Sequence, residues 1–209
     1  MTKILLVRHG HVEGISPERF RGRADLPLTA AGRRQAVATA RLIAAEWRPV
    51  AIYSSPRGRC LATAAAIGQP LGLSPVATAG LDDIDYGSWQ GLAPDQARLR
   101  WPEEVDTWYR RPDWAAIPGG ETLQEVLARA TATLREVFQR HPDDTVVLVG
   151  HDSVNRVILL HALGLPLSRY WHIRQSPCAL NEIDLESDGF TIVAINRSGH
   201  LSEPPTPSA

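Results

Sequence analysis

Two short runs of uninterrupted aliphatic residues constrain this chain more than any other feature: Ile4-Leu5-Leu6-Val7 and Val146-Val147-Leu148-Val149. Each is too short for a helix and lacks the alternation of a half-exposed strand, so each reads as a strand buried on both faces of a parallel sheet. The first strand spans Lys3 to Val7 and the fourth Thr145 to Val149. Between them strand and helix patterns alternate. Thr29 offers an N-cap to a helix over about 30–47, with Ala36, Ala40, Ile43 and Trp47 on its apolar face and Pro49 closing it. Val50 to Tyr53 is a second strand, Gly58 to Ile67 a helix, and Pro75 to Thr78 a weak third strand. Leu123 through Phe138 has the clearest helical period, and Val154 to Leu163 is a helix that stops at Gly164. Leu180 to Leu185 and Thr191 to Ile195 flank Ser187-Asp188-Gly189 as a hairpin. This order predicts an α/β fold, a three-layer αβα sandwich with a mostly parallel central sheet and a C-terminal β-hairpin. Residues 1–202 are expected to form one domain with a helical insertion at about 92–118, and 203–209 a disordered tail.

In such sheets ligands bind at the carboxyl ends of the strands. Those ends deliver Arg8-His9, then Arg57 and Arg59, then Asp82, Asp83 and Asp85, then His151. Two histidines, two or more guanidiniums and a carboxyl group suit a tetrahedral oxyanion, because arginine presents forked donors to phosphate. With Lys+Arg 22 against Asp+Glu 23 the formal net charge is -1, so the chain lacks the broad basic field of a nucleic-acid or anionic-membrane binder. The expected partner is a small phosphorylated substrate, with no nucleic acid and no membrane; a homodimer is one assembly open to it. Cys60 and Cys178 form no CxxC pair and read as ordinary reduced thiols. No signal-peptide pattern follows Met1-Thr2-Lys3, which gives the expectation of a cytoplasmic protein.

The segment Val7-Arg8-His9-Gly10-His11-Val12-Glu13-Gly14 has two readings. In an extended strand His9 and His11 share a face, as two zinc ligands do, and His151-Asp152 with Asp83 or Asp85 would complete a site. Against this, Gly10 loosens the strand and Arg8 sets a fixed positive charge beside the cation. In the other reading an imidazole nitrogen of His9 attacks phosphorus and water later hydrolyses the phosphohistidine. That needs His9 neutral, with a backbone carbonyl fixing its tautomer and Gly10 letting the backbone approach the phosphoryl oxygens. Arg8, Arg59 and a protonated His151 would then neutralise those oxygens, and a carboxylic acid from the 81–91 loop would protonate the leaving group.

The chain resembles the histidine phosphatase superfamily, on the branch of the cofactor-dependent phosphoglycerate mutases and small-molecule phosphatases. The resemblance is carried by LVRHG at Leu6–Gly10, RFRGRADLPLTAAGRRQA at Arg19–Ala36 and YSSPRGRCLATA at Tyr53–Ala64. It continues through LDDIDYGSWQG at Leu81–Gly91, PGGET at Pro118–Thr122, VLVGHDSVNRVIL at Val147–Leu159 and INRSGHL at Ile195–Leu201. It implies that His9 is the phosphorylated histidine, that Arg8 and Arg59 hold the phosphoryl group, and that His151 is the pocket's second histidine. Asp83 falls at the proton donor's position, where the family usually has the longer Glu; Asp85 is the substitute. Arg21-Gly22 looks like the segment that often contacts substrate. No metal and no cofactor is implied. Ile15 stands where an Asn often contacts phosphate, His11 where Glu or Gln is common, and Asp152 where a Gly is usual; Asp152 is expected to N-cap the helix that follows.

Other features have plainer readings. His141 and His161 are expected to be non-functional, Trp101, Trp108 and Trp114 to pack, and Arg33-Arg34 and Arg110-Arg111 to be solvated. The chain's length and short insertion are closer to the phosphatases than to the glycolytic mutases. The favoured reading is a metal-independent phosphomonoesterase resembling broad-specificity and α-ribazole-type phosphatases. A mutase, a His-x-His metallohydrolase and a non-catalytic phosphate binder are the alternatives.

Overall fold

A computed structural model describes residues 1–201; the expected tail at 203–209 lies outside the described residues. Six strands form one sheet in the order β3-β2-β4-β1-β5-β6. The strands are β1 (Thr2–Arg8), β2 (Ala51–Ser54), β3 (Val76–Ala77), β4 (Thr145–Gly150), β5 (Leu180–Glu186) and β6 (Gly189–Arg197). β1, β2, β3 and β4 run parallel, while the hairpin β5-β6 joins antiparallel to β1. The sheet is therefore mostly parallel, flanked by helices, with the C-terminal hairpin expected from the sequence.

The aliphatic runs are explained by what covers each face. Ile4 and Leu6 of β1, with Val146 and Leu148 of β4, face one apolar cluster that includes α5 (Leu123–Arg140) and α6 (Asp152–Ala162). Their alternates Leu5, Val7, Val147 and Val149 face a second cluster with α1 (Ala30–Glu46) and α2 (Gly58–Gly68). Successive strand residues point to opposite faces, so a strand covered on both sides has no position left for a polar side chain.

Elsewhere the details differ from expectation. β3 is two exposed residues paired to Tyr53 and Ser54 at one sheet edge. The insertion holds α3 (Pro94–Arg98), α4 (Pro102–Arg110) and a turn at Pro112–Trp114. Trp108 is buried against Tyr86, Tyr170 and Trp171, but Trp114 is 73% exposed under Arg111, so it does not pack in the core. Among the described residues no helix is long and apolar enough to cross a membrane.

One packing contact fixes the path of the chain after β1. A Cβ on Gly10 would lie 2.5 Å from the Gly32 carbonyl oxygen, and one on Gly32 would lie 2.2 Å from that of His11. Gly10 is thus needed where this segment crosses the first turn of α1, a packing reason for glycine beside the phosphate approach expected from the sequence. Thr29 caps α1 through Gly32 N–H, and its own N–H donates to the His11 carbonyl at 3.0 Å, tying the helix start to the same segment. Gly32→Ala is expected to cost about 1–3 kcal/mol by forcing two backbones apart. Gly199→Ala, where a Cβ meets nothing within 4 Å, is expected to cost little by comparison. Urea denaturation of the two variants checks this, and equal midpoints would refute the contact's role.

Candidate active site

β1 and β4 end in register, Arg8 opposite Gly150, and the His9 N–H donates to the Gly150 carbonyl at 3.0 Å. The next residues on the two strands, His9 and His151, therefore emerge side by side, with ring centroids 5.2 Å apart at 64°. Both rings are buried.

His9 Nδ1 lies 2.7 Å from its neighbour's carbonyl, Gly10 O. A carbonyl only accepts, so Nδ1 carries the proton and Nε2 keeps the lone pair. Burial, and then His151, Arg8 and Arg59, hold the His9 pKa well below the ordinary value, so the ring is neutral near neutral pH. This is the state expected of a nucleophile. His151 is also held well below its ordinary value, by burial and then by Arg59, Arg8, Arg129 and Arg57. Burial foremost, reinforced by the guanidiniums, keeps this ring neutral although Asp83 Oδ2 is 3.4 Å from Nδ1, so the protonated His151 expected in the transition state needs the charge of a bound phosphate. Its Nε2 lies 2.7 Å from Ser55 Oγ and 3.4 Å from Cys60 Sγ.

Two arginines flank these rings. Arg59, at the start of α2 and fully buried, donates to the carbonyls of Ala24 (2.7 Å) and Gly22 (2.6 Å) and to Asp83 Oδ2 (3.0 Å). Arg8, 5% exposed, donates to the Gln175 carbonyl and to Asp152 Oδ1 at 3.4 Å. Each keeps a buried Nε–H with no partner, and such donors are costly unless something accepts from them. Two unsatisfied guanidinium donors beside two neutral imidazoles form a pocket built for an oxyanion.

The carboxylates divide cleanly. Asp83 is buried and accepts from Ser153 Oγ, from Ile84 N–H at 3.0 Å and from Arg59. Asp82 is clamped by Arg57, with contacts at 2.8 and 2.6 Å. Asp85 pairs with Arg23 at 3.1 Å and accepts from Gly87 N–H, so it faces away from the histidines.

The structure gathers His9, His151, Arg8, Arg59 and Asp83 and sets the remaining candidates around them. Gly22 holds Arg59 through its carbonyl. Arg21 bonds to the Gly14 carbonyl and lines, with Glu13, Arg19, Ala24 and Leu26, a neighbouring cavity of about 410 Å³. His11 turns away: its Nδ1 is 3.0 Å from Thr29 Oγ1, so the two histidines of the His-x-His pair do not share a focus. β1 ends at Arg8, which removes the strand geometry that the metal clamp required. Among the described residues no group of three or more His, Cys, Asp or Glu side chains could hold a metal ion. Asp152 is not the N-cap of α6; His151 is, and Asp152 opens the helix and pairs with Arg156 and Arg8. Sequence reasoning missed Ser55 and Ser153, although each lies beside a motif residue at a strand exit.

The model of the histidine phosphatase superfamily (branch 1) matches residues 4–198. The chain is 32% identical to phosphoserine phosphatase 1 of Hydrogenobacter thermophilus, over 97% of this chain and 96% of that one. It is also 32% identical to a metal-independent phosphoserine phosphatase of Arabidopsis thaliana, over 77% of this chain and 68% of that one. Among solved structures, YhfR of Bacillus stearothermophilus superposes with a TM-score of 0.91 at 26% identity, covering 97% of this chain and all of that one (100%).

The two depressed histidines make stability depend on pH in a defined direction. Above the unfolded value of 6.5 both states hold these rings neutral and the contribution is complete. As pH falls below it the unfolded chain takes up protons that the folded chain refuses, and stability drops by up to about 1.4 kcal/mol per pH unit per histidine until the folded values are reached. Denaturant midpoints measured from about pH 7.5 to 5 should fall less steeply in His9→Ala than in the parent. An unchanged slope would show that His9 is not held neutral by the fold.

Proposed function

The chain belongs to the histidine phosphatase superfamily, branch 1, and is a phosphatase; we propose that it is a metal-independent phosphomonoesterase that hydrolyses a small phosphorylated metabolite through a phosphohistidine on His9. The observation that carries this reading is the neutral His9, tautomer set by Gly10, beside His151 and between two buried arginines with free Nε donors.

In this mechanism His9 Nε2 attacks phosphorus in line with the leaving oxygen. The N–P bond forms and the P–O ester bond breaks, while Asp83, which takes up a proton as the phosphate's negative charge arrives beside it, passes that proton to the departing alkoxide. Arg8 and Arg59 donate through Nε to the equatorial oxygens, where charge accumulates in the transition state. The phosphate's negative charge favours the protonated form of His151, so the imidazolium arises with substrate bound. Water then attacks phosphorus, Asp83 takes its proton, the N–P bond breaks, and neutral His9 returns with inorganic phosphate. Asp83 reaches this position while bonded to Arg59 and Ser153, and the reading assigns it the acid role in place of Asp85, which is spent on Arg23. Ester oxygens lead toward the cavity beside Arg21, where the organic part of the substrate is placed. Phosphoserine, the substrate in the names of two relatives, heads the candidates for that place.

The test compares two leaving groups. Hydrolysis of a nitrophenyl phosphate should survive EDTA, and base-stable, acid-labile phosphate should be trapped on the parent but not on His9→Ala. Asp83→Asn should lower kcat on phosphoserine by about 10²–10⁴-fold and much less on the nitrophenyl ester, whose leaving group needs no proton. Asp85→Asn should leave both within a few-fold. Labelling that persists in His9→Ala, or activity that returns only with added zinc, would overturn the mechanism. Net transfer to 3-phosphoglycerate in the presence of 2,3-bisphosphoglycerate would favour a mutase.

A further inference from the structure

The two phosphate-facing arginines are each matched with one carboxylate. Arg59 has Asp83, which the mechanism employs, and Arg8 has Asp152, which it does not. Asp152 Oδ1 is shared: it accepts from Arg8 NH1 at 3.4 Å and from Arg156 Nε, one helical turn on, at 3.2 Å. Arg156 is in turn fixed on three sides. Its guanidinium carbon lies 5.1 Å from the ring centres of both Tyr170 and Trp171, and its NH1 donates to the Tyr170 carbonyl at 3.2 Å. Those rings are themselves anchored, Tyr170 against Trp108 and Trp171 through its indole N–H to the Trp108 carbonyl at 2.8 Å.

We propose that Asp152 is a positioning residue for phosphate capture, holding the Arg8 guanidinium in place through a strut that runs from Trp108 by way of Tyr170, Trp171 and Arg156. The inference rests on the phosphatase reading above. An arginine side chain carries about 2 kcal/mol of rotamer entropy, and a donor works best when it needs no reorganisation as charge develops. With NH1 committed to Asp152 and the Gln175 carbonyl, the guanidinium plane of Arg8 is set, and its buried, unpartnered Nε–H together with NH2 is left to donate to phosphoryl oxygens. Asp152 is partly open to solvent, with 23% of its side chain exposed, and Arg156 is what keeps it turned inward.

Simple electrostatics predicts the opposite of this proposal, which makes it testable. If Asp152 were only a negative charge near an anion site, neutralising it would tighten phosphate binding. If it positions Arg8, binding weakens. Titration calorimetry with inorganic phosphate should show Asp152→Ala, which removes the shared acceptor as well as the charge, and Arg156→Gln each raising Kd about tenfold, about 1.4 kcal/mol. The double variant should lose no more than either single one, because both break the same strut. In turnover of a nitrophenyl phosphate the loss should fall mainly on KM. Arg156→Lys keeps the charge but not the planar fork that contacts both rings and the carboxylate, so it should behave as Arg156→Gln. It also supplies the milder variant should Arg156→Gln fail to fold. Tighter or unchanged phosphate binding in Asp152→Ala, additive losses in the double variant, or full rescue by lysine would each overturn the assignment. A parent protein that neither binds phosphate nor turns over would take the phosphatase reading and this assignment down together.

Discussion

The register between β1 and β4 is the constraint on which the site depends. Because Arg8 pairs with Gly150, one strand exit places a histidine next to the other's, and no long-range loop has to find its partner. A slip of one residue would turn each side chain to the opposite face of the sheet, sending Arg8 rather than His9 toward His151 and mixing the two apolar clusters. The aliphatic runs that build the core also guarantee the register, since both faces are dry and neither accepts a polar residue. Folding energy and site geometry here come from the same contacts.

Around that pair the charges are arranged by count and not by isolated bridges. Buried ion pairs add little net stability on their own, since desolvation offsets much of the attraction, but removing one partner leaves a charge stranded. Arg57 with Asp82, Arg59 with Asp83, Arg8 with Asp152, and Arg129 with Glu121 hold the pocket's cations in fixed places. Burial, and then the guanidiniums around them, keep the two histidines uncharged, so the fixed cations of the site are its arginines. Arg129 also donates to the carbonyls of Gly80, Asp82 and Asp83, so the loop carrying Asp83 is fastened from behind by α5.

Much of this was legible in the chain itself, for reasons that differ by residue. β1 and β4 are betrayed by unbroken aliphatic runs, α1 by Thr29 and a helical period, and the gathering of His9, Arg59 and His151 follows from the rule that parallel strands end together. What escaped was decided by tertiary contact. The packing role of Gly10 escaped because nothing local reveals that Gly32 crosses it. The neutral state of His151 depends first on its burial and then on Arg59 and Arg8, all of them set by tertiary packing. Asp152 had the composition of a cap, but its carboxylate was drawn off by Arg156 four residues later and by Arg8 on another strand. Trp114 shows the converse: an aromatic residue whose type suggested burial and whose place on a turn left it in water.

The antiparallel insertion of β5 beside β1 has a kinetic meaning. β1 sits between β4 and β5, so Ile4 pairs with Val146 on one side and with Ile183 on the other, and neither flank is local. A sheet whose innermost strand waits for partners so far along the chain has high contact order and folds slowly relative to a helical protein of the same size. During synthesis the segment bearing His9 leaves the ribosome before β4 and β5 and stays without its sheet partners until they follow. An unpaired aliphatic strand is exposed to aggregation for as long as its partners are missing.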